Sequence, residues 1–304
     1  MSERSRNLER FVEDNLLSRL ERLSSNLRKI EKDPENADHI HDLRVSIRRY
    51  TQGLRIFRHL LNGGDVRKMR RRLRRVMDLC GSIRNCDIAL EVLKASGATV
   101  PEPLQQRLAK LRSHAQRDLT DLMKDFNISK RTRDWEGWLR AEAGPNQTIN
   151  STARRILIPL TNEFLEAGVC AANQGSNPGE MHRFRLRGKR IRYTLEMLGP
   201  VSGPEWEQWI GLVRELQDRL GAINDCVTTR DLIADPEGPS PDLQAAEAAV
   251  ERLLSERTEA FRAYWHEHLG AGQRHAWMSK VRNIGKQNEH HDPQARDGGG
   301  PGAG

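Results

Sequence analysis

The sequence predicts an all-α protein made of two tandem four-helix bundles related by a pseudo-twofold axis. Three observations carry that prediction. Apolar residues recur at three- and four-residue spacing along most of the chain. Valine, isoleucine, threonine and the aromatics never alternate with polar residues over a useful length, so strands have no support. One half of the chain also returns in the other at an offset of 140 to 141 residues.

The elements follow in order. An amphipathic run from Leu8 to Ile30 ends before the turn Asp33-Pro34, and a second starts near His41 and ends before Asn62-Gly63-Gly64. A third, whose core stripe is Met69, Leu73, Val76, Cys80 and Ile83, stops before the breakers between Gly97 and Pro103. A fourth opens at Leu104-Gln105. After Gly144-Pro145 the pattern repeats with Ala153 to Ala172, where Pro159 predicts a kink or a later start. The turn Asn177-Pro178 leads into the helix carrying His182. Breakers at Gly199 to Pro204 and Pro236 to Pro241 then bound a helix through Val213, and a last run opens at Leu243-Gln244. About eight long helices result: residues 1–140 form the first unit, 141–270 the second, and 271–304 an extension whose composition predicts disorder from about residue 285.

Composition narrows the function. The chain has 304 residues, of which 30% are charged and 5% aromatic. Its mean hydropathy is −0.73, and no apolar run approaches the ~18 residues of a membrane span. The polar first ten residues lack an apolar signal core, so the expected location is cytoplasmic. Cys80, Cys86, Cys170 and Cys226 are irregularly spaced and suggest neither a disulfide framework nor a zinc site. Net charge is +8, and its placement says more than its size. From His41 to Arg75 twelve Arg/Lys face two acids, and from His182 to Arg192 six face none. Charge focused this way predicts a polyanionic partner. Arginine supplies 40 of the 50 cations, and its planar fork grips phosphate oxygens in pairs.

At about 100° per residue, Arg44, Arg48, Thr51, Arg55 and Arg58 join His41 on one stripe about 100° wide. Leu43, Ile47, Tyr50, Leu54 and Phe57 form the apolar stripe beside it. In the second unit His182, Arg185, Lys189 and Arg192 line up next to Phe184, Ile191, Leu195 and Leu198. Like charges at such spacing repel by a few tenths of a kcal/mol per pair, roughly, so a row that recurs is better explained by a ligand than by solvation. The third helix adds Arg71 and Arg74, which point away from its core stripe. Arg74/Asp78 and Arg214/Asp218 are spaced as helix-surface ion pairs in both units.

Walker A, GxGxxG, HExxH, Gly-x-Ser-x-Gly and ExExK patterns are absent, and no carboxylate pair in the basic stretches is placed to hold Mg²⁺ against a phosphate. The expectation is a binding protein, not an enzyme, with neither metal nor cofactor.

Two motif pairs carry a family resemblance. His41-x-x-Arg44-x-x-x-Arg48-Arg49 matches His182-x-x-Arg185-x-x-x-Lys189-Arg190-Ile-Arg192-Tyr193-x-x-Glu196. Leu79-Cys-Gly81-Ser-Ile-Arg84-Asn-Cys-Asp87 matches Leu220-Gly221-Ala-Ile-Asn224-Asp225. In this order, from about residue 8 to 269, they resemble the CHAD family, the conserved histidine α-helical domain, in a stand-alone form without a triphosphate-tunnel domain in front. The resemblance implies two four-helix bundles with a basic surface or pore between them. It also implies binding of inorganic polyphosphate, often with targeting to polyphosphate granules. The candidate ligand residues are His41, Arg44, Arg48, Arg49, Arg55, Arg71, Arg74, His182, Arg185, Lys189, Arg190, Arg192 and Arg214. Where the first unit has Arg55 the second has Glu196, which shortens the second basic row.

Three rival readings stay open. A nucleic-acid binder would stack bases on aromatics worth about 1–3 kcal/mol each, whereas His41 to Arg75 holds only Tyr50 and Phe57, both on the core stripe. A metal-dependent phosphohydrolase would use His41 or His182. A helical scaffold would dock an acidic protein on the basic face.

Overall fold

The structure, a computed structural model, describes residues 3–199, 205–234 and 241–284. Among them are ten helices and no strand: α1 (Glu3–Lys32), α2 (Ala37–Ile56), α3 (Gly63–Ala95), α4 (Glu102–Lys124), α5 (Ile128–Trp138), α6 (Ile149–Ala172), α7 (Pro178–Leu198), α8 (Glu205–Ile233), α9 (Pro241–Leu269) and α10 (Ala271–Arg282). Eight span 20 residues or more, and α5 and α10 are short. The tail expected to be disordered from about residue 285 lies outside the described residues.

Helix starts are fixed by local chemistry. The Asn36 side chain accepts from the backbone N–H of Asp38 and His39 at 3.0 and 3.2 Å, which sets the phase of α2. Asn62 caps α3 in the same way, accepting from Gly64 and Asp65. Thr148 with Ser151 and Asn177 with Glu180 form reciprocal capping boxes at α6 and α7, and Pro178 occupies the first turn of α7. The helix α6 begins at Ile149, earlier than its apolar periodicity suggests, and contains Pro159. The two short helices have no place among the eight expected. The first, α5, packs on α1, where Trp135 lies against Tyr50 and Phe126 and the Ser24 and Thr132 hydroxyls meet at 3.0 Å.

The predicted core stripes are buried. Leu43, Tyr50, Leu54 and Phe57 are fully shielded and Ile47 nearly so; in α7, Phe184, Ile191, Leu195 and Leu198 are buried as well. Four helices close a ring in the first half, α1 on α2, α2 on α3, α3 on α4 and α4 on α1, and α6 to α9 do likewise in the second. The halves meet where α2 packs on α7 and α3 on α8, with smaller contacts of α3 with α9 and α1 with α6. One continuous apolar core runs through both. The α2–α7 contact therefore joins the two helices that carry the basic rows.

Candidate anion-binding groove

Burial of the α2 stripe fixes which side of the helix remains for its cations. Arg44 and Arg48 emerge half-buried beside α7, and Arg185 and Lys189 of α7 emerge beside them. These four members of the two rows thus come together, while the others do not join them. Burial, then Arg48 and Arg185 among its neighbours, pushes the Arg44 guanidinium down from 12.5 to about 10. Lys189 is pushed from 10.5 to about 6, first by burial and then by Arg185, Arg48 and Arg44, with Asp225 opposing. Arg185 is lowered by burial and Arg48, while Asp225 holds it up.

None of these four cations forms an ion pair among the described residues. Asp225 of α8 is the acid within reach, and burial raises its carboxyl while Arg185 and Lys189 lower it. Arg84 of α3 and Arg257 of α9 border the same cluster, but both are engaged. Arg84 binds Glu91 through both guanidinium ends at 3.0 and 3.2 Å. Arg257 donates to the Ala222 carbonyl and to Cys226 Sγ. Asp225 offsets part of this charge, and four partly buried cations around one nearby carboxylate leave the cluster net positive, which carries a cost. The Cys80 thiol, beside Arg44, is pushed up to about 12 by burial despite that arginine, so it stays protonated. All four cysteines are free.

The remaining sequence-derived candidates fall elsewhere. Arg49 lies on another face of α2, near Arg19 and Arg22 of α1, where Glu196 approaches it at 3.8 Å. Arg192 approaches the same carboxylate at 3.6 Å and lies over the Tyr193 ring. Arg55 and Arg190 meet in a separate pocket, where Arg190 also binds Glu163 at 3.1 Å. Arg71, Arg74 and Arg214 are exposed. Neither Arg74/Asp78 nor Arg214/Asp218 closes as an ion pair among the described residues. His41 is exposed near the start of α2, and His182 Nδ1 lies 3.1 Å from Asn224 Oδ1 of α8. Among the described residues, no three His, Cys, Asp or Glu side chains gather as metal ligands would.

Arg84 and Asp225 belong to the second motif pair, yet sequence reasoning did not carry them into the site. Arg257, Arg19, His59 and Arg155 had no sequence signal beyond their type. Their positions beside the cations come from packing between helices distant in sequence.

No helix among the described residues is long and apolar enough to cross a membrane. Tyr50 and Phe57, the aromatics of the first basic stretch, are wholly buried. Tyr193, near Arg185, is buried too. An anion in this groove therefore meets guanidinium and ammonium groups and no open ring.

Comparison with known proteins agrees with this architecture. PptA from Streptomyces chartreusis is similar over 85% of this chain and 98% of its own, with TM-score 0.61 and 19% identity. The CHAD domain from the plant Ricinus communis is similar over 85% of this chain and 91% of its own, with TM-score 0.64 and 18% identity. No protein of curated function matches the chain. The CHAD domain family matches residues 15–234, most of the sequence and all four of the repeated motifs. With that match, and with helices arranged like those of a known CHAD domain, the chain belongs to the CHAD-domain family.

Proposed function

We propose that the protein binds inorganic polyphosphate along the groove between α2 and α7, and that this binding can direct it to polyphosphate granules. The observation that carries the reading is the meeting of Arg44 and Arg48 with Arg185 and Lys189, without an ion-pair partner for any of them. A polyphosphate chain offers one negative charge per unit along a flexible line. A double row of cations complements it without needing to recognise bases or sugars. Binding replaces mutual repulsion in the groove with charge-assisted hydrogen bonds, and so relieves a cost that the free protein carries. Nucleic acid also has the charge, but it gains nothing here from stacking.

The test is a titration with long-chain polyphosphate, competed by single-stranded and duplex nucleic acid at equal phosphate concentration and fixed salt. Polyphosphate is expected to resist displacement; displacement by oligonucleotide removes the specificity of this reading. Log affinity against log salt is expected to fall steeply. In an Arg44→Gln/Arg185→Gln variant the slope should flatten by roughly 0.7 for each phosphate that the protein no longer neutralises, with helicity retained by circular dichroism. An unchanged slope would move the ligand elsewhere. Phosphate release that depends on Mg²⁺ or Mn²⁺ and vanishes in His41→Ala/His182→Ala would replace binding with hydrolysis.

A further inference from the structure

Positions 49 and 190 correspond across the repeat, as do 55 and 196, each 141 residues apart. The structure pairs them crosswise: Arg49 of α2 meets Glu196 of α7, and Arg190 of α7 meets Arg55 of α2. One difference in sequence thus gives the first of two corresponding places a carboxylate where the second has another arginine. Around Arg49, Glu196 draws in both Arg49 and Arg192 beside a cavity of about 260 Å³ that Arg19 and Arg22 also line, so one carboxylate offsets part of the charge there. Around Arg190, an arginine stands where that carboxylate would be. The cavity there is about 540 Å³ and gathers Arg55, Arg58, His59, Arg155 and Arg190 from α2, the turn after it, α6 and α7.

Its charge is poorly answered from within. Glu163 binds Arg190, with both side chains partly exposed. Arg55, Arg58 and Arg155 form no ion pair among the described residues. The Thr194 hydroxyl in the lining is spent on the Arg190 carbonyl at 2.7 Å. The rest of the wall is apolar, including Ile156 and Pro159. The field acts on its members: His59 is held below its ordinary value by burial, Arg155 and Arg58, and Arg190 is lowered by burial and Arg55.

The groove is a row, whereas this cavity is a point of convergence. A row suits a polymer; four arginines around one hollow, with the His59 imidazole beside them, suit a compact anion of high charge density. We infer that the pocket between the end of α2, α6 and α7 is a second anion site, separate from the groove, that takes a short oligophosphate of two or three units. Such a group could come free from solution or as the end of a long chain.

Calorimetric titration of the full chain with tripolyphosphate and with long-chain polyphosphate tests this. Three proteins are compared: the unsubstituted chain, Arg58→Gln/Arg155→Gln, and Arg44→Gln/Arg185→Gln. Tripolyphosphate is expected to bind the unsubstituted chain at one site and to weaken by about tenfold or more in Arg58→Gln/Arg155→Gln. It should bind Arg44→Gln/Arg185→Gln unchanged. Matching melting curves check folding, and His59→Ala provides a milder variant expected to weaken binding in the same direction. Long-chain affinity that falls in both double variants identifies a chain end as the occupant; a fall in the groove variant alone identifies free oligophosphate. Tripolyphosphate that fails to bind, or that ignores Arg58 and Arg155, overturns the inference. Failure of the groove reading shows separately, as an unsubstituted chain that takes no long-chain polyphosphate.

Discussion

Lys189 concentrates the electrostatics of the groove in one side chain. Its ammonium would ordinarily titrate near 10.5, but burial and three arginines bring it to about 6, so it is largely neutral at pH 7 in the free protein. A phosphate chain alongside favours the charged form, so binding takes up a proton. Affinity for long-chain polyphosphate is expected to rise as pH falls from 8 toward 6, by up to about tenfold per pH unit, and to level off below 6. Lys189→Met should flatten that profile at constant ionic strength; an equally pH-dependent Lys189→Met protein would assign the proton elsewhere. The same shift has a sign for stability. Between pH 6 and 10.5 the unfolded chain holds the proton and the folded chain does not, so unliganded stability rises with pH across that window. Below about 6 both states hold the proton, and the full cost of the buried charge is felt. Lys189→Met should therefore melt higher than the unsubstituted chain in acid, without ligand.

At the scale of elements, two glycines decide how close helices come. A methyl on Gly168 of α6 would fall inside the Trp265 ring of α9. That ring packs edge-on to Phe184 of α7, so it has little room to retreat. Gly168→Ala would gain up to ~1 kcal/mol of helix propensity but force an overpacked core that costs about 1–3 kcal/mol or more, so net destabilisation is expected in urea titrations. A more stable variant would place Trp265 elsewhere. On α3 a methyl at Gly81 would sit 2.9 Å from an Arg44 guanidinium nitrogen. Here the neighbour is the end of a flexible side chain, so it can move. Gly81→Ala is expected to stabilise α3 by up to ~1 kcal/mol while weakening polyphosphate binding, because it displaces a groove cation. Unaltered affinity with raised stability would show that Arg44 has freedom to spare.

Across the whole molecule, the halves share more than their basic helices. Arg107 of α4 donates to the Leu232 and Ile233 carbonyls at 3.2 and 2.8 Å, capping the end of α8 from the other half. The second half is completed by α10, which packs on α6 and α9. Its Trp277 lies 3.9 Å from Trp209 and stacks near Phe164. Trp277→Ala should cost about 3–5 kcal/mol in chemical denaturation, whereas an exposed, loosely held extension would cost nothing. This helix was invisible in the sequence because 271–282 is polar around most of its circumference and one tryptophan supplies much of its anchorage. The helix α5 escaped for a similar reason: eleven residues are too few to display a period, and Trp135 finds its place only against Tyr50.

The helices with long periods, their core stripes and the two places where positive charge collects are legible in the order of residues alone. Those depend on the rotation per residue, which is the same wherever a helix lies. Tertiary structure alone decided which members of the rows come together, which arginines find a carboxylate and which do not. Glu196 is one residue in a helix until packing sets it against Arg49, and Arg55 is one surface cation among many until packing places it on the same hollow as Arg190 and Arg155. Distances between helices are fixed by the volumes buried between them, and electrostatic energy depends on those distances.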